Sequence, residues 1–192
     1  MPRDLLDHAV PAIGGGSCLD GLPARALDRE ELRELVDRLA DEPGVWRQHV
    51  AFSDDQRHYA SLYRDEFVDV WLLCWTPEND TGWHDHDVSS GAVRVVQGAL
   101  EENNPRIGGD HLTVRVGEGT SFGFGPDHIH RLVGAADASV SIHAYSPPLW
   151  RLGQYSVSPS GVMRRVSVSY ADELRPLDEP ANDPANDPEP AG

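Results

Sequence analysis

Two histidines one residue apart are the most chemically suggestive feature of the sequence. His84 and His86 lie in the segment TGWHDHDVSSGAVRVVQG. On an extended chain both imidazoles point to one face and Asp85 to the other, which is a geometry that metal ligands adopt. An H-x-H pair alone is weak evidence, because surface and packing histidines share this spacing. Its weight therefore depends on what else in the chain can join it.

A second histidine pair follows in the phrase FGFGPDHIHRL. His128 and His130 also share a face if this phrase is extended, and of the two we predict His130 as the third ligand. Gly98 ends the strand-like run after His86, and a Gly-Pro phrase precedes the second pair. Two histidine phrases, each next to a turn, describe a β-barrel with one inward-facing metal site.

These phrases resemble the two motifs of the cupin superfamily. His84, His86 and Gly98 match the first motif, whereas Gly91 occupies the slot of its acidic ligand. The resemblance implies an all-β fold, a cupin jelly-roll β-barrel with a short N-terminal helical region. A site of neutral imidazoles leaves a divalent ion its full charge and favours anionic substrate ligands. A thiolate is the natural candidate, because soft sulfur binds such metals well and coordination lowers the pKa of a thiol.

Within the cupins the chain is most similar to the cysteine dioxygenase family, over roughly residues 57–170. The phrases LLCW, WHDHDVSSGAV, HIHRL and VSIHAYSPPLW carry the likeness. It implies that His84, His86 and His130 hold Fe(2+) and that the chain is a non-haem iron thiol dioxygenase. The implied reaction is oxidation of L-cysteine to cysteine sulfinate with O2, and 3-mercaptopropionate is the alternative substrate.

The same resemblance assigns a hydrogen-bonded relay beside the metal to Ser141, His143 and Tyr145. Alternation along a strand agrees, because the three would line one face with the tyrosine hydroxyl innermost. The alternative is that His143 and Tyr145 only fill the barrel interior. Animal members of the family join a cysteine at the Gly91 position to the relay tyrosine, and glycine excludes that crosslink. The family also suggests a cis bond at Ser146-Pro147.

A substrate carboxylate needs a cation, and the family places an arginine on the strand before LLCW. The phrase RHYASLYRD offers Arg57 and Arg64. An inward arginine would hold a carboxylate by a two-pronged ion pair. Arg57 is the first choice because it shares strand parity with Tyr59 and Ser61, and a surface charge is the alternative for both. Arg151 would suit a substrate without an α-amino group.

Two other kinds of protein also fit the histidines. Three imidazoles suit a zinc, nickel or manganese centre for isomerisation or hydrolysis. A non-catalytic cupin that senses or stores a small ligand would use His143 and Tyr145 as packing residues.

The elements that would position the site begin with one helix. Asp28 is a good N-cap and Glu31 completes a capping box. Apolar residues then recur on one face, so the sequence predicts a helix within residues 28–41. From about residue 56 to 170, short β-branched and aromatic runs alternate with turn residues, which is an all-β pattern. The predicted strands are 59–63, 68–75, 91–97, 112–116, 120–123, 130–133 and 140–145.

Composition limits the partners. The 192 residues suit one domain, and 16 basic against 32 acidic residues give a net charge of −16. This charge repels phosphate backbones and anionic lipids, so we expect no nucleic acid and no membrane partner, only a small thiol and O2. With two cysteines and no secretory signal we expect a cytoplasmic protein, as a monomer or weak homo-oligomer.

The chain divides into three predicted parts. Residues 1–26 form a flexible N-terminal arm with a glycine run, and residues 27–175 form the cupin thiol dioxygenase domain. Residues 176–192, which contain PANDPANDP, form a disordered acidic, proline-rich tail.

Overall fold

The computed structural model of the chain describes residues 16–53, 55–158 and 162–169. The first part of the predicted arm and the whole predicted tail lie outside these residues. The helices are α1 (Arg29–Ala40) and α2 (Pro43–Trp46), followed by a 3-10 turn (Arg47–His49). The strands are β1 (His58–Arg64), β2 (Asp69–Trp75), β3 (Trp83–Asp85), β4 (Ser90–Gln97), β5 (Ala99–Asn104), β6 (Leu112–Gly117), β7 (Ser121–Phe124), β8 (Arg131–Gly134), β9 (Ser139–Ser146), β10 (Arg151–Val157) and β11 (Met163–Ser169).

Helix α1 begins and ends where the sequence predicts. The Asp28 carboxylate accepts hydrogen bonds from the backbone N–H groups of Glu30 and Glu31, and the Glu31 side chain accepts one from the Asp28 N–H. This capping box satisfies backbone donors that the first helical turn leaves unpaired. The apolar face that the periodicity predicts is buried, and its residues are Leu32, Leu35, Val36 and Leu39.

The strands form an all-β barrel from three hydrogen-bonded sheets, which confirms the predicted fold class. The largest sheet has the order β1-β2-β9-β4-β7, and the two smaller sheets have the orders β11-β10-β3 and β6-β5-β8. The smaller sheets meet at isolated antiparallel bridges, His84 to His130 and Asp80 to Val133. Side chains of the large sheet pack on side chains of the small ones in shared clusters, so the barrel has one interior.

Strand β9 is buried along its whole length because the two faces of the large sheet are both covered. Its even-numbered residues, such as Ile142 and Ala144, pack in one apolar cluster with α1 and with Leu72 of β2. Its odd-numbered residues, such as His143 and Tyr145, face the barrel interior beside the odd-numbered residues of β2, since paired residues share a face. The helix thus seals the outer face and leaves the inner face for polar side chains.

All seven predicted strands are present within a residue or two. Four strands were not predicted: β3, β5, β10 and β11. Strand β5 has the sequence ALEENN, whose glutamates and asparagines have low β-propensity. The peptide bond between Ser146 and Pro147 is cis, as the family resemblance suggests. None of the helices in the described part of the chain is long and apolar enough to span a membrane.

Gly91 lies in the large sheet, on β4, which pairs there with both β7 and β9. Its register partners are Phe124 and Tyr145. A Cβ atom added at Gly91 would overlap the Phe124 ring and lie 3.0 Å from Tyr145 Cδ1. Neither the acidic residue of the cupin motif nor the cysteine of the animal crosslink therefore fits here unless Phe124 moves.

Gly91→Ala is accordingly expected to lower the free energy of unfolding by about 1–3 kcal/mol, the usual cost of overpacking a core. Gly109→Ala is the control, because a Cβ there meets nothing within 4 Å. Its expected effect is within about 0.5 kcal/mol. Urea denaturation of both variants measures the difference. The Gly91→Ala/Phe124→Leu double variant should regain part of the lost stability, because the Phe124 ring that the new Cβ would overlap is gone. Wild-type stability of Gly91→Ala would contradict this packing.

Candidate metal centre and active site

The three histidines predicted as ligands meet inside the barrel. His84 lies on β3, His86 directly after it, and His130 directly before β8. The backbones of His84 and His130 exchange two hydrogen bonds, of 2.9 and 3.0 Å. The ring centroids lie 4.8–5.1 Å from one another. One ring nitrogen from each can be chosen so that all three lie within 4.8 Å, which is the convergence that a single cation requires.

Two of these rings are fixed in one tautomer by partners that can only accept a hydrogen bond. His84 Nδ1 lies 3.1 Å from the carbonyl oxygen of Gly82, and His130 Nδ1 lies 2.9 Å from Glu102 Oε1. Each Nδ1 must therefore carry the proton and donate it, which leaves the lone pair on Nε2. A metal-binding histidine is usually oriented in this way, by a hydrogen bond from its other nitrogen.

The cluster is buried, and burial disfavours the charged form of an imidazole. His86 and His130 are each 1% exposed. Burial, together with the neighbouring histidines, holds the pKa of His86 well below its ordinary value. Burial also lowers the pKa of His130 to about 3, although the hydrogen bond to Glu102 opposes this shift. His130 Nε2 and His86 Nδ1 are buried without a hydrogen-bond partner among the described residues. An ion would satisfy such nitrogens, so the donor set fits a divalent metal.

His128, the alternative third ligand, is not part of the group formed by His84, His86 and His130. Its Nε2 donates to Glu102 Oε1 at 2.9 Å, beside the donor from His130. Glu102 is buried, and although burial raises the pKa of its carboxyl, the two histidine hydrogen bonds lower it to about 2. Glu102, His128 and His130 also lie close enough to hold an ion. Hydrogen bonds already join these three groups, whereas the inward cluster contains unpaired nitrogens.

The predicted relay residues form a continuous hydrogen-bonded chain. Ser141 Oγ lies 2.8 Å from His143 Nε2, and His143 Nδ1 lies 3.2 Å from the Tyr145 hydroxyl oxygen. Trp75, which the sequence analysis did not assign, extends the chain by donating from Nε1 to Ser141 Oγ at 2.8 Å. Burial and then the charge of Arg57 hold the pKa of His143 well below its ordinary value. In a neutral imidazole one nitrogen donates a hydrogen bond and the other accepts one. The successive hydrogen bonds on either side of His143 therefore run in the same direction.

Tyr145 connects this relay to the histidine cluster. Its ring stacks on His86, with centroids 5.6 Å apart and planes inclined by 27°. A small, partly enclosed pocket lies between the histidine cluster and the relay. Its lining residues are Leu73, Trp75, Thr81, His84, His86, His130, Leu132, His143, Tyr145, Leu149 and Leu152. The pocket is therefore apolar on its walls and polar at the histidines and the tyrosine.

The two candidate arginines lie in different places. The Arg57 guanidinium lies over the indole of Trp75, 4.7 Å from the ring centroid, and its charge acts on His143. The Arg64 guanidinium stacks on the exposed Trp150 at 4.1 Å and pairs with buried Asp69 at 3.6 Å. Arg57 is thus the candidate beside the pocket wall. Arg151 is exposed.

Asp85 points to the face opposite His84 and His86, as the alternation predicts. Its carboxylate binds Arg165 and Tyr155. Burial raises the pKa of Asp85, but these hydrogen bonds outweigh it and hold the pKa well below its ordinary value. Sequence reasoning missed these partners and Glu102, because all three stand on strands that it did not predict.

Comparison with known proteins identifies the family to which this chain belongs. The sequence model of the family cysteine dioxygenase type I matches residues 18–158. Cysteine dioxygenase type 1 of Rattus norvegicus is 26% identical over 137 residues, which cover 62% of this chain and 65% of the relative. The human enzyme is 24% identical with the same coverage. The chain thus spans about 65% of the length of the curated relatives it matches.

Among solved structures, a conserved protein with a double-stranded β-helix domain from Klebsiella pneumoniae is similar. The TM-score is 0.47 at 11% identity, and the match covers 62% of this chain and 92% of that one. The family match spans the histidine cluster, the relay and both candidate arginines. This chain therefore belongs to the cysteine dioxygenase type I family.

Proposed function

We propose that the protein is an iron(II)-dependent thiol dioxygenase that oxidises the sulfur of a small thiol acid, with L-cysteine as the substrate. The supporting observation is the convergence of three buried imidazoles next to the hydroxyl of a tyrosine relay. His84, His86 and His130 are the proposed ligands, bound to Fe(2+) through nitrogens that carry lone pairs. With no carboxylate among them, the ion keeps a charge that attracts a thiolate.

The reaction balances without any further reductant. A thiol R–SH and O2 give a sulfinic acid R–SO2H, in which both oxygen atoms end on sulfur. Sulfur loses four electrons and O2 gains them. Iron(II), when bound, supplies neighbouring open positions for thiolate and O2 and a path for electrons between them.

Tyr145 is the proposed catalytic contact from the chain itself. Its ring stacks on His86 and its hydroxyl lies 3.2 Å from His143 Nδ1, so the hydroxyl is held at the edge of the histidine cluster. There it can hydrogen-bond bound oxygen or the substrate carboxylate. His143 and Ser141 fix its direction, and Trp75 anchors the far end of the relay. The leucines of the pocket keep water away from these contacts and strengthen them.

Arg57 is the proposed partner of the substrate carboxylate. Its guanidinium is already ordered by stacking on Trp75, a residue of the pocket wall, so less freedom is lost when a carboxylate binds. Arg64 was the second candidate, and its contacts with Trp150 and Asp69 give it a structural partner instead.

The decisive assay loads the full chain with Fe(2+) under argon and measures O2 uptake with cysteine, cysteamine and 3-mercaptopropionate. We expect one O2 consumed per sulfinate formed, fastest with cysteine, and no uptake after the metal is removed with a chelator. His130→Gln should reduce the rate by more than about 100-fold, since loss of a ligand costs at least as much as loss of its outer partner. His128→Gln is the matched control and should retain most of the rate.

Two outcomes would count against this function, and a third would count against the choice of ligand. Absence of O2 uptake with every thiol would favour a ligand-binding cupin. Tight binding of Zn²⁺, with no O2 uptake after the zinc is replaced by Fe(2+), would favour hydrolysis or isomerisation. Equal losses in the two histidine variants would remove the distinction between His128 and His130.

Arg57→Gln should raise the KM for cysteine about 10- to 100-fold, because a charge-assisted ion pair contributes about 1.5–3 kcal/mol. The KM for cysteamine, which has no carboxylate, should change little. Arg64→Gln is measured alongside and should leave both KM values near wild type. If the cysteine KM rose in Arg64→Gln and not in Arg57→Gln, the two assignments would be reversed.

A further inference from the structure

Asp85 is the residue between two proposed ligands, and its side chain faces away from them. It is 6% exposed. Strand β3 has only three residues, and its register partners on β10 are Tyr155, Gln154 and Gly153. His86 lies beyond the end of this short ladder. Something besides strand pairing must therefore fix the direction of the His86 ring.

The Asp85 carboxylate accepts five hydrogen bonds. Arg165 donates from Nε to Oδ2 at 2.7 Å and from Nη2 to Oδ1 at 2.9 Å. The Tyr155 hydroxyl donates to Oδ2 at 2.6 Å, and the Gly153 N–H donates to Oδ1 at 3.0 Å. The N–H of Asp87 completes the set at 2.9 Å. A two-pronged arginine pair with further donors is among the strongest carboxylate environments in proteins.

The sequence of β10 is shaped to admit this arrangement. A Cβ atom at Gly153 would overlap Arg165 Nε and lie 2.6 Å from Asp85 Oδ2. Only glycine therefore allows the Arg165 side chain to cross β10 and reach β3. Arg165 stands on β11 and Tyr155 on β10, so the hairpin of these two strands supplies most of the donors.

The same carboxylate also shapes the backbone around His86. Asp85 Oδ1 accepts a hydrogen bond from the N–H of Asp87, and this bond spans His86. Asp87 has φ 55°, in the left-handed region, so the chain turns sharply after the ligand. Arg165 Nη2 also lies 3.3 Å from Asp87 Oδ1. Both residues that flank His86 are thus tied to one guanidinium.

We propose that Asp85, Arg165 and Tyr155 form a positioning clamp, the Asp85 clamp, that aims the rings of His84 and His86 at the metal. This role rests on the proposed metal site. The clamp touches neither substrate nor metal. It joins the β10–β11 hairpin to the ligand segment, so its loss leaves the ligands in place but less well oriented.

The test measures metal binding by the full-length apo protein, with Co²⁺ as the probe. Arg165→Gln removes the two-pronged pair, and Arg164→Gln is the control because Arg164 is its exposed neighbour on β11 with the same charge. We expect Arg165→Gln to raise the Kd for Co²⁺ about 10- to 100-fold and to broaden the visible absorption bands of the bound ion. Arg164→Gln should stay within about twofold of wild type.

Two further variants distinguish loss of the clamp from misfolding of the Arg165→Gln protein. Tyr155→Phe removes one donor and Arg165→Lys keeps the charge without the fork, so both should give intermediate Kd values. Thermal melting of each apo protein checks that the barrel is intact. Wild-type Kd and spectrum in Arg165→Gln would overturn the clamp alone. Failure of the wild-type protein to bind Co²⁺ would overturn the metal site and the clamp with it.

Discussion

The antiparallel bridge between His84 and His130 is the contact on which the site depends. It is one of two isolated bridges that join the two small sheets, and both of its members are proposed ligands. Because backbone hydrogen bonds of 2.9 and 3.0 Å hold the two residues together, their rings start from a fixed separation. Side-chain partners outside the cluster then set the tautomers, the Gly82 carbonyl for His84 and the Glu102 carboxylate for His130. The inward nitrogens are left to bind a cation.

The large sheet of the barrel has an apolar outer face and an inner face that carries polar side chains next to this bridge. Helix α1 covers the outer face of the large sheet, where alternate residues of β2, β4 and β9 pack with its leucines. The other residues of β9 face inward and carry the relay. Because Gly91 has no side chain, Phe124 and Tyr145 can pack beside it and against the histidine cluster. The same residue explains why the fourth cupin ligand and the animal crosslink are both missing from this chain.

Local signals made part of this architecture predictable. The capping box of Asp28 and Glu31 lies within one helical turn, and the alternation of His84, Asp85 and His86 involves three consecutive residues, so neighbouring residues suffice to predict both. Residues that contact the site from distant parts of the sequence have no such local pattern. Glu102 lies in the polar run EENN, and Arg165 reaches Asp85 only because Gly153 clears its path. Strand parity favoured Arg57 over Arg64, but parity alone could not show that the Arg57 guanidinium stacks on Trp75.

Anomalous diffraction at the iron edge, from crystals of the full chain loaded with Fe(2+), tests the central claim most directly. The account predicts one ion bound by nitrogens of His84, His86 and His130, with Glu102 hydrogen-bonded to His130 and outside the coordination sphere. An ion held by Glu102 and His128, or three rings that point apart, would contradict it.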